Sequence, residues 1–253
     1  MAMLGAMAAQ SFDLWPEGNP GGWSVDGPEV RTEENGILIV RNVNRPTVTF
    51  HASPSAKPGA PCVLVVPGGG YNILAIGHEG SEIAEWLNGN GIHAAVLKYR
   101  LPKETDSPRH GVSLQDAQRA VRLLRGKAST LGIDPRKLGA MGFSAGGHLS
   151  AMLALDPTSA QAPSAVPDFV VLVYPAYLEG EPPLTGQTVA KGAPPAFLVH
   201  TLDDHIPIQS SLAYLTACQK AEVPAEAHFY PVGGHGYALR AKEPGLRDWP
   251  SQL

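Results

Sequence analysis

The feature that most constrains this chain is a serine enclosed by glycines at the end of an apolar run. The run over residues 137–143 ends within Gly142-Phe143-Ser144-Ala145-Gly146, which fits the pattern G-x-S-x-G. In this pattern a buried strand turns sharply into a helix and leaves the serine at the apex of the turn. Glycine is expected at both flanking positions because a Cβ atom there would collide with neighbouring backbone. The motif therefore predicts a hydroxyl that stands clear of a sheet, at a helix N-terminus whose dipole favours a developing anion.

Segments typical of strands and helices alternate along the rest of the chain. Residues 62–66 form an uninterrupted apolar run of the kind that is buried on both faces in a parallel sheet. We expect further strands at 37–43, 47–51, 92–99, 137–143, 169–173, 196–202 and 226–230, and helices at 81–87, 114–124, 145–155 and 210–221. This alternation predicts an α/β fold in which helices flank a mostly parallel central sheet. The strands at 37–43 and 47–51, separated by an Asn-Arg-Pro break, are expected to form an antiparallel pair at the sheet edge.

A glycine-rich loop follows the buried strand directly. Pro67-Gly68-Gly69-Gly70-Tyr71 leaves backbone N–H groups bare, and its position before the serine turn is typical of a loop that donates to an anion. The alternative for such a sequence is a flexible turn. We expect the N–H group of Ala145 and that of Gly69 or Gly70 to form an oxyanion hole, in which one lost donor costs about 2.7–4 kcal/mol of barrier.

A carboxylate and an imidazole occur downstream, each after a predicted strand. Asp203 follows the strand at 196–202, and His235 lies within Gly233-Gly234-His235-Gly236-Tyr237 after the last strand. The carboxyl ends of parallel strands meet at one edge of an open α/β sheet, where binding sites form. Serine is a weak nucleophile, so a histidine must take its proton while a carboxylate orients the imidazole. The sequence therefore predicts a catalytic triad of Ser144, His235 and Asp203.

Two adjacent carboxylates compete for the role of the acid. Asp203-Asp204-His205-Ile206-Pro207 fits D-x-x-hydrophobic-P with Asp203 in the triad, which makes Asp204 a solvated or capping carboxylate. Asp204 as the triad member is the alternative. His148, four residues after the serine, is expected to be a packed, hydrogen-bonded residue and not the base.

Composition excludes several classes of function. The net charge of -4, from 19 basic and 23 acidic residues, gives no basic excess for binding nucleic acid. No apolar run approaches the roughly 20 residues that a membrane-spanning helix needs. Cys62 opens an apolar strand and Cys218 lies in a helical pattern, and neither has the spacing of zinc ligands. We therefore expect buried free thiols and no metal site, with a disulfide as the alternative.

Several motifs occur together over nearly the whole chain. They are Leu14-Trp15-Pro16 with Pro20-Gly21, Pro67-Gly68-Gly69-Gly70-Tyr71, Asp116-Ala117-Gln118-Arg119-Ala120, the serine turn through His148, Tyr174-Pro175-Ala176-Tyr177 and Gly233-Gly234-His235-Gly236-Tyr237. In this combination, and in the order serine, aspartate, histidine, the chain resembles the bacterial acetylxylan-esterase-like branch of the α/β-hydrolases. The resemblance implies an α/β-hydrolase fold and a serine carboxylesterase that removes short acyl groups, commonly acetyl groups on plant-derived sugars, without a cofactor. Two departures are Pro67, where lipases and esterases commonly have histidine, and the absence of the usual final helix after Trp249-Pro250.

We expect one catalytic domain over residues 11–253. Residues 1–10 are small and apolar, and Ala6-Met7-Ala8 looks like the end of a signal peptide, so this stretch is interpreted as a signal-peptide remnant or a tag. That interpretation favours a secreted or periplasmic protein, or a cytoplasmic one if Met1 is the native start. The polar, proline-containing residues 178–195 are expected to form a short cap over an open site.

The expected partner is a small-molecule or oligosaccharide ester, with no nucleic acid and no membrane; the oligomeric state is left open. Tyr71, Asn72 and Tyr177 adjoin strand ends and are candidate substrate-binding residues, with a core or rim position as the alternative. Two other functions compete with an esterase. A peptidase of the prolyl-oligopeptidase type shares the catalytic order but usually carries a propeller domain. A hydrolase-fold protein that only binds is disfavoured by the intact serine, histidine and aspartate.

Overall fold

A computed structural model describes residues 9–179 and 189–253 of the chain. The strands are β1 (Gln10–Asp13), β2 (Val30–Glu34), β3 (Ile37–Arg41), β4 (Thr47–His51), β5 (Ala60–Val66), β6 (His93–Lys98), β7 (Ile133–Phe143), β8 (Val170–Val173), β9 (Ala196–Thr201) and β10 (Ala225–Tyr230). The α-helices are α1 (Glu82–Gly89), α2 (Gly111–Gly126), α3 (Ala128–Leu131), α4 (Ala145–Leu155), α5 (Gln209–Lys220) and α6 (Pro244–Arg247). A π-helical turn at Gly77–Ser81 precedes α1, and 3-10 turns lie at Pro20–Gly22 and Trp249–Gln252.

An eight-stranded sheet in the order β1-β4-β6-β5-β7-β8-β9-β10 forms the centre of the fold. From β6 to β10 neighbouring strands are parallel, whereas β4 and β1 are antiparallel additions at one edge. β5 lies between β6 and β7 and is buried along nearly its whole length, as its continuous apolar sequence predicts. The carboxyl ends of β5, β7, β8, β9 and β10 therefore face one edge of the sheet.

The predicted pairing of residues 37–43 with residues 47–51 is wrong. β3 pairs instead with β2 in a separate two-stranded sheet, and β4 lies between β1 and β6. Asn35 and Gly36, with φ values of 51° and 71°, form the two-residue turn that pairs β3 with β2. The Asn44 side chain, in the break between β3 and β4, binds the preceding arm. Its Oδ1 accepts the N–H of Val25 at 2.7 Å, and its Nδ2 donates to the carbonyl of Val25 at 2.9 Å.

Helices cover both faces of the sheet and enclose two apolar cores. The first core contains side chains from α2, α4 and α5, and the second contains side chains from α1 and the C-terminal Trp249. Every predicted helix is present within the described residues, with bounds that differ by a few positions at most. Cys62 and Cys218 are buried free thiols, and burial raises the pKa of Cys218 to about 11.

Two predictions fall partly outside the described residues. Residues 1–8 of the expected signal-peptide remnant and residues 180–188 of the expected cap belong to the part of the chain that the structure does not describe. Within residues 9–179 and 189–253, no helix combines the length and apolar character that crossing a membrane requires.

Candidate active site

Ser144 occupies a strained turn between β7 and α4. Its backbone has φ 52° and ψ −120°, a conformation that costs a non-glycine residue on the order of 1–3 kcal/mol. Two glycines permit the turn. A Cβ atom on Gly142 would lie 2.1 Å from the carbonyl oxygen of Gly146, and one on Gly146 would lie 2.1 Å from that of Val66 at the end of β5. The predicted strand-turn-helix is confirmed, including the bounds of α4.

A histidine and a carboxylate are aligned behind the serine hydroxyl. His235 Nε2 lies 2.9 Å from Ser144 Oγ, and His235 Nδ1 lies 2.7 Å from Asp204 Oδ2. The Asp204 side chain is fully buried, whereas the imidazole is 18% exposed. A carboxylate at Nδ1 holds the proton on that nitrogen and leaves Nε2 free to accept the serine proton. The arrangement can therefore activate the hydroxyl as a nucleophile.

The prediction that Asp203 faces the imidazole is wrong. Asp203 is exposed, and its carboxylate accepts the N–H groups of Gly233 at 3.2 Å and Gly234 at 2.9 Å. After β9 ends, a turn in which the N–H of Asp204 approaches the carbonyl of Thr201 directs the second aspartate inward. Asp203 thus holds the backbone of the loop that carries His235, and Asp204 contacts the imidazole itself.

Several donors keep Asp204 ionised. Burial raises the pKa of its carboxyl, but contacts with His200 and His235 and the N–H of Ile206 outweigh burial and hold that pKa well below its ordinary value. His200 Nε2 lies 3.4 Å from Asp204 Oδ2, and His205 Nδ1 lies 3.6 Å from Oδ1. Among the described residues, no group of three or more His, Cys, Asp or Glu side chains is placed to hold a metal ion.

The glycine loop after β5 passes directly beside the serine. A Cβ atom on Gly68 would lie 2.8 Å from Ser144 Cβ, and Gly69 and Gly70 adopt φ values of +125° and +62°. The N–H groups of Gly69 and Gly70 make no hydrogen bond within the described part of the chain. Ala145 is the first residue of α4, so its N–H has no acceptor inside the helix. These three groups, which the sequence predicts as oxyanion donors, are thus available at the site.

The three candidate pocket residues have different environments. Tyr71 is 2% exposed and its Oη lies 2.8 Å from His148 Nδ1, so it forms part of the wall. Tyr177 is 46% exposed and stacks on Tyr71 with ring centroids 6.2 Å apart. Asn72 is exposed, and its Oδ1 accepts a hydrogen bond from Arg109 at 2.7 Å. His148 is buried and bonded to the hydroxyl of Tyr71, which confirms the expectation of a packed, hydrogen-bonded histidine, and burial lowers its pKa to about 3.

Two residues beside the site have roles that the sequence does not predict. Glu79 is buried and accepts hydrogen bonds from the N–H of Gly68 and from the hydroxyl of Tyr174, each at 2.8 Å. Tyr174 follows β8, and its ring lies 4.7 Å from the imidazole of His235. The one sequence signal for the role of Glu79 is its position between Gly77 and Gly80, shortly after the glycine loop.

Fold and site together define an α/β-hydrolase, since the serine turn, the carboxylate after β9 and the histidine after β10 follow in that order. A family model described as BD-FAE matches residues 49–171. The chain is 32% identical over 214 residues to an acetylxylan esterase of Xylanibacter ruminicola, a match that covers 72% of this chain and 42% of the relative. It is 32% identical over 211 residues to endo-1,4-beta-xylanase B of Butyrivibrio fibrisolvens, covering 72% of this chain and 33% of that protein.

A solved structure is similar over most of its length. It is the acetyl ester-xyloside bifunctional hydrolase of Caldicellulosiruptor lactoaceticus, which matches with a TM-score of 0.73 and 33% identity, covering 83% of this chain and 86% of that chain. The chain therefore belongs to the acetylxylan-esterase-like branch of the α/β-hydrolases. It spans less than half the length of the two curated relatives named above.

Proposed function

We propose that this chain is a serine carboxylesterase that removes short acyl groups, chiefly acetyl groups, from carbohydrate esters such as acetylated xylan or xylo-oligosaccharides. The observation that carries the proposal is the position of the His235 imidazole between Ser144 Oγ and the buried carboxylate of Asp204. Membership of a family that contains an acetylxylan esterase supports the choice of substrate.

In the proposed reaction, Ser144 Oγ attacks the ester carbonyl carbon as its proton passes to His235 Nε2. The carbonyl oxygen becomes an oxyanion, which the N–H groups of Ala145 and of Gly69 or Gly70 stabilise. The imidazolium then gives its proton to the departing sugar oxygen, which leaves an acyl-serine. Water, deprotonated by the same imidazole, attacks that ester, and the imidazolium returns the proton to Ser144 Oγ as acetate is released. Asp204 holds the imidazole tautomer and stabilises the imidazolium in both halves of the reaction.

Polar groups beside the glycine loop are proposed to hold the sugar. A Cβ atom on Gly70 would lie 3.6 Å from Asn72 Nδ2 and 3.7 Å from Tyr177 Oη, so both polar tips lie close to this glycine. The exposed ring of Tyr177 offers a flat face for a pyranose, and Asn72 offers hydrogen bonds to its hydroxyls. Tyr71, being buried, contributes to the pocket by supporting Tyr177.

Acetate release from acetylated xylan, compared with other acetylated glycans, tests the substrate class. Acetyl and octanoyl p-nitrophenyl esters assayed in parallel test the expected preference for short acyl groups. The proposal predicts faster turnover of the acetyl ester, release of acetate from xylan and no turnover by Ser144→Ala. Preference for octanoyl would contradict the open, short-acyl site.

The proposal extends to organisation and location. A single catalytic domain over residues 11–253 is one part of it. A secreted or periplasmic location, motivated by Ala6-Met7-Ala8, is the other. Fractionation of the natural host, with sequencing of the mature N-terminus, tests the location: protein confined to the cytoplasm would contradict it.

A further inference from the structure

We propose that Glu79 is a positioning residue that fixes the oxyanion loop (residues 67–71) relative to the histidine loop (residues 231–238). Its two carboxylate oxygens bind donors that connect to different loops. Oε2 accepts the N–H of Gly68, and Oε1 accepts the hydroxyl of Tyr174. The inference rests on the proposed function, because it concerns how the same site is held in a reactive geometry.

Glu79 is an expensive residue to bury, which argues for a specific role. It is 3% exposed, and buried charges need partners for all their acceptor sites. Among the described residues, the basic side chain within ion-pair range is that of His78, with Nε2 3.6 Å from Oε1. His78 Nε2 also lies 3.1 Å from the carbonyl oxygen of Gly236, which is a second connection to the histidine loop.

Tyr174 connects Glu79 to the catalytic histidine. Its hydroxyl donates to Glu79 and accepts the N–H of Ala238 at 3.1 Å, three residues beyond His235. Burial, reinforced by the charge of Glu79, raises the pKa of Tyr174 and keeps the hydroxyl a donor. The tyrosine ring also packs edge-on against the imidazole of His235. A shift of the Glu79 carboxylate would therefore displace the imidazole of His235 as well as the oxyanion loop.

On the other side, Glu79 fixes the start of the oxyanion loop. The Gly68 N–H is bound by the carboxylate, and the Gly68 carbonyl accepts the N–H of Ala75 at 3.1 Å. With both polar groups of Gly68 fixed, the next two N–H groups remain free to face the oxyanion. Such donors must lie about 2.7–3.1 Å from the oxyanion, so a small displacement weakens them in the transition state more than in the ground state.

Glu79→Gln tests the proposal, because an amide has the same shape but only one acceptor oxygen for two donors. We expect kcat for p-nitrophenyl acetate to fall about 10- to 100-fold while KM changes less than about 3-fold, and the rate of labelling by a fluorophosphonate to fall in parallel. Tyr174→Phe breaks only the connection to the histidine loop, and a smaller loss of about 3- to 10-fold is expected. The double variant should have a kcat little below that of Glu79→Gln alone, since both residues act through one network.

Glu85→Gln is the matched control, since Glu85 is exposed on α1 and its loss should leave kcat unchanged. A kcat for folded Glu79→Gln equal to wild type, or a loss that merely follows the unfolded fraction measured by circular dichroism, would overturn the proposal. Should Glu79→Gln not fold, an unchanged kcat for Tyr174→Phe would overturn it instead. Failure of the proposed function is distinguishable, because the wild type would then lack esterase activity or Ser144→Ala would retain it.

Discussion

Asp204 Oδ2 lies 2.7 Å from His235 Nδ1, with the aspartate side chain fully buried and the imidazole partly open to solvent. This pair places the negative charge behind the base, on the side remote from the nucleophile. The carboxylate is also bound by the N–H of Ile206 at 2.8 Å, which limits its rotation. The His235 imidazole is therefore oriented by a rigid, ionised partner.

Exchange of this carboxylate for an amide should abolish most activity. We expect Asp204→Asn to reduce kcat for p-nitrophenyl acetate by about 10³- to 10⁴-fold, because the amide favours the wrong tautomer of the imidazole. Asp203→Asn is the matched control. It weakens only the contacts to Gly233 and Gly234, so a loss of less than about 10-fold is expected. Greater damage from Asp203→Asn than from Asp204→Asn would refute the assignment of the acid.

Stability should depend on pH through His148. Burial, with a smaller contribution from the nearby His110, lowers the pKa of His148 to about 3, whereas an unfolded histidine titrates near pH 6.5. Between these values the unfolded chain binds one more proton than the folded chain, so stability falls as the pH falls. From pH 7 to pH 5 this group should cost about 2 kcal/mol of unfolding free energy.

Urea unfolding of the wild type and of His148→Gln at pH 7 and pH 5 measures this contribution. Glutamine can still bond to the hydroxyl of Tyr71 but does not titrate. Between pH 7 and pH 5, the unfolding free energy of the variant should fall by about 2 kcal/mol less than that of the wild type. Equal losses in the two proteins would show that His148 is not held neutral.

The serine turn should not tolerate side chains at its glycines. Gly142→Ala places a Cβ atom 2.1 Å from a backbone oxygen, so we expect a loss of more than about 3 kcal/mol of unfolding free energy, or no folded protein. Gly126→Ala at the end of α2 is the control, because no atom lies within 4 Å of its added Cβ. That variant should be stabilised by about 0.5–1 kcal/mol in urea unfolding. A stable, folded Gly142→Ala protein would contradict the geometry of the turn.

Tyr177 should discriminate between sugar and non-sugar esters. We expect Tyr177→Ala to raise KM for an acetylated xylo-oligosaccharide about 5- to 20-fold, as one stacking contact is lost, and to change KM for p-nitrophenyl acetate by less than about 2-fold. Leu212→Ala, at another exposed apolar residue, serves as the control. Equal effects of Tyr177→Ala on both substrates would argue against a sugar platform.

The features that could be predicted from the sequence are those fixed by local chemistry. The turn at Ser144 depends on glycines within two residues, and α4 begins where the turn ends. The continuous apolar sequence of β5 likewise identifies a central strand, and the glycine loop follows from its composition. Such features need little information from distant parts of the chain.

Two features escape prediction because distant segments decide them, whereas a third has a local cause. The choice of Asp204 rather than Asp203 depends on Gly233 and Gly234, 30 and 31 residues further along the chain, whose N–H groups bind the Asp203 carboxylate. Asp204 is then the carboxylate that faces the imidazole. The role of Glu79 appears only when Gly68 and Tyr174 meet. The partner of β3, in contrast, is set locally by the Asn35-Gly36 turn that joins it to β2. No local pattern of residues encodes the contacts of Asp203 and Glu79.

The account depends most directly on a single activated serine. Native protein should be treated with a fluorophosphonate probe, digested and mapped by mass spectrometry, beside Ser144→Ala and urea-unfolded protein. We predict one adduct, located on Ser144, in the native wild type and none in the two controls. An adduct on a different residue, or no adduct at all in the native protein, would contradict the proposed mechanism.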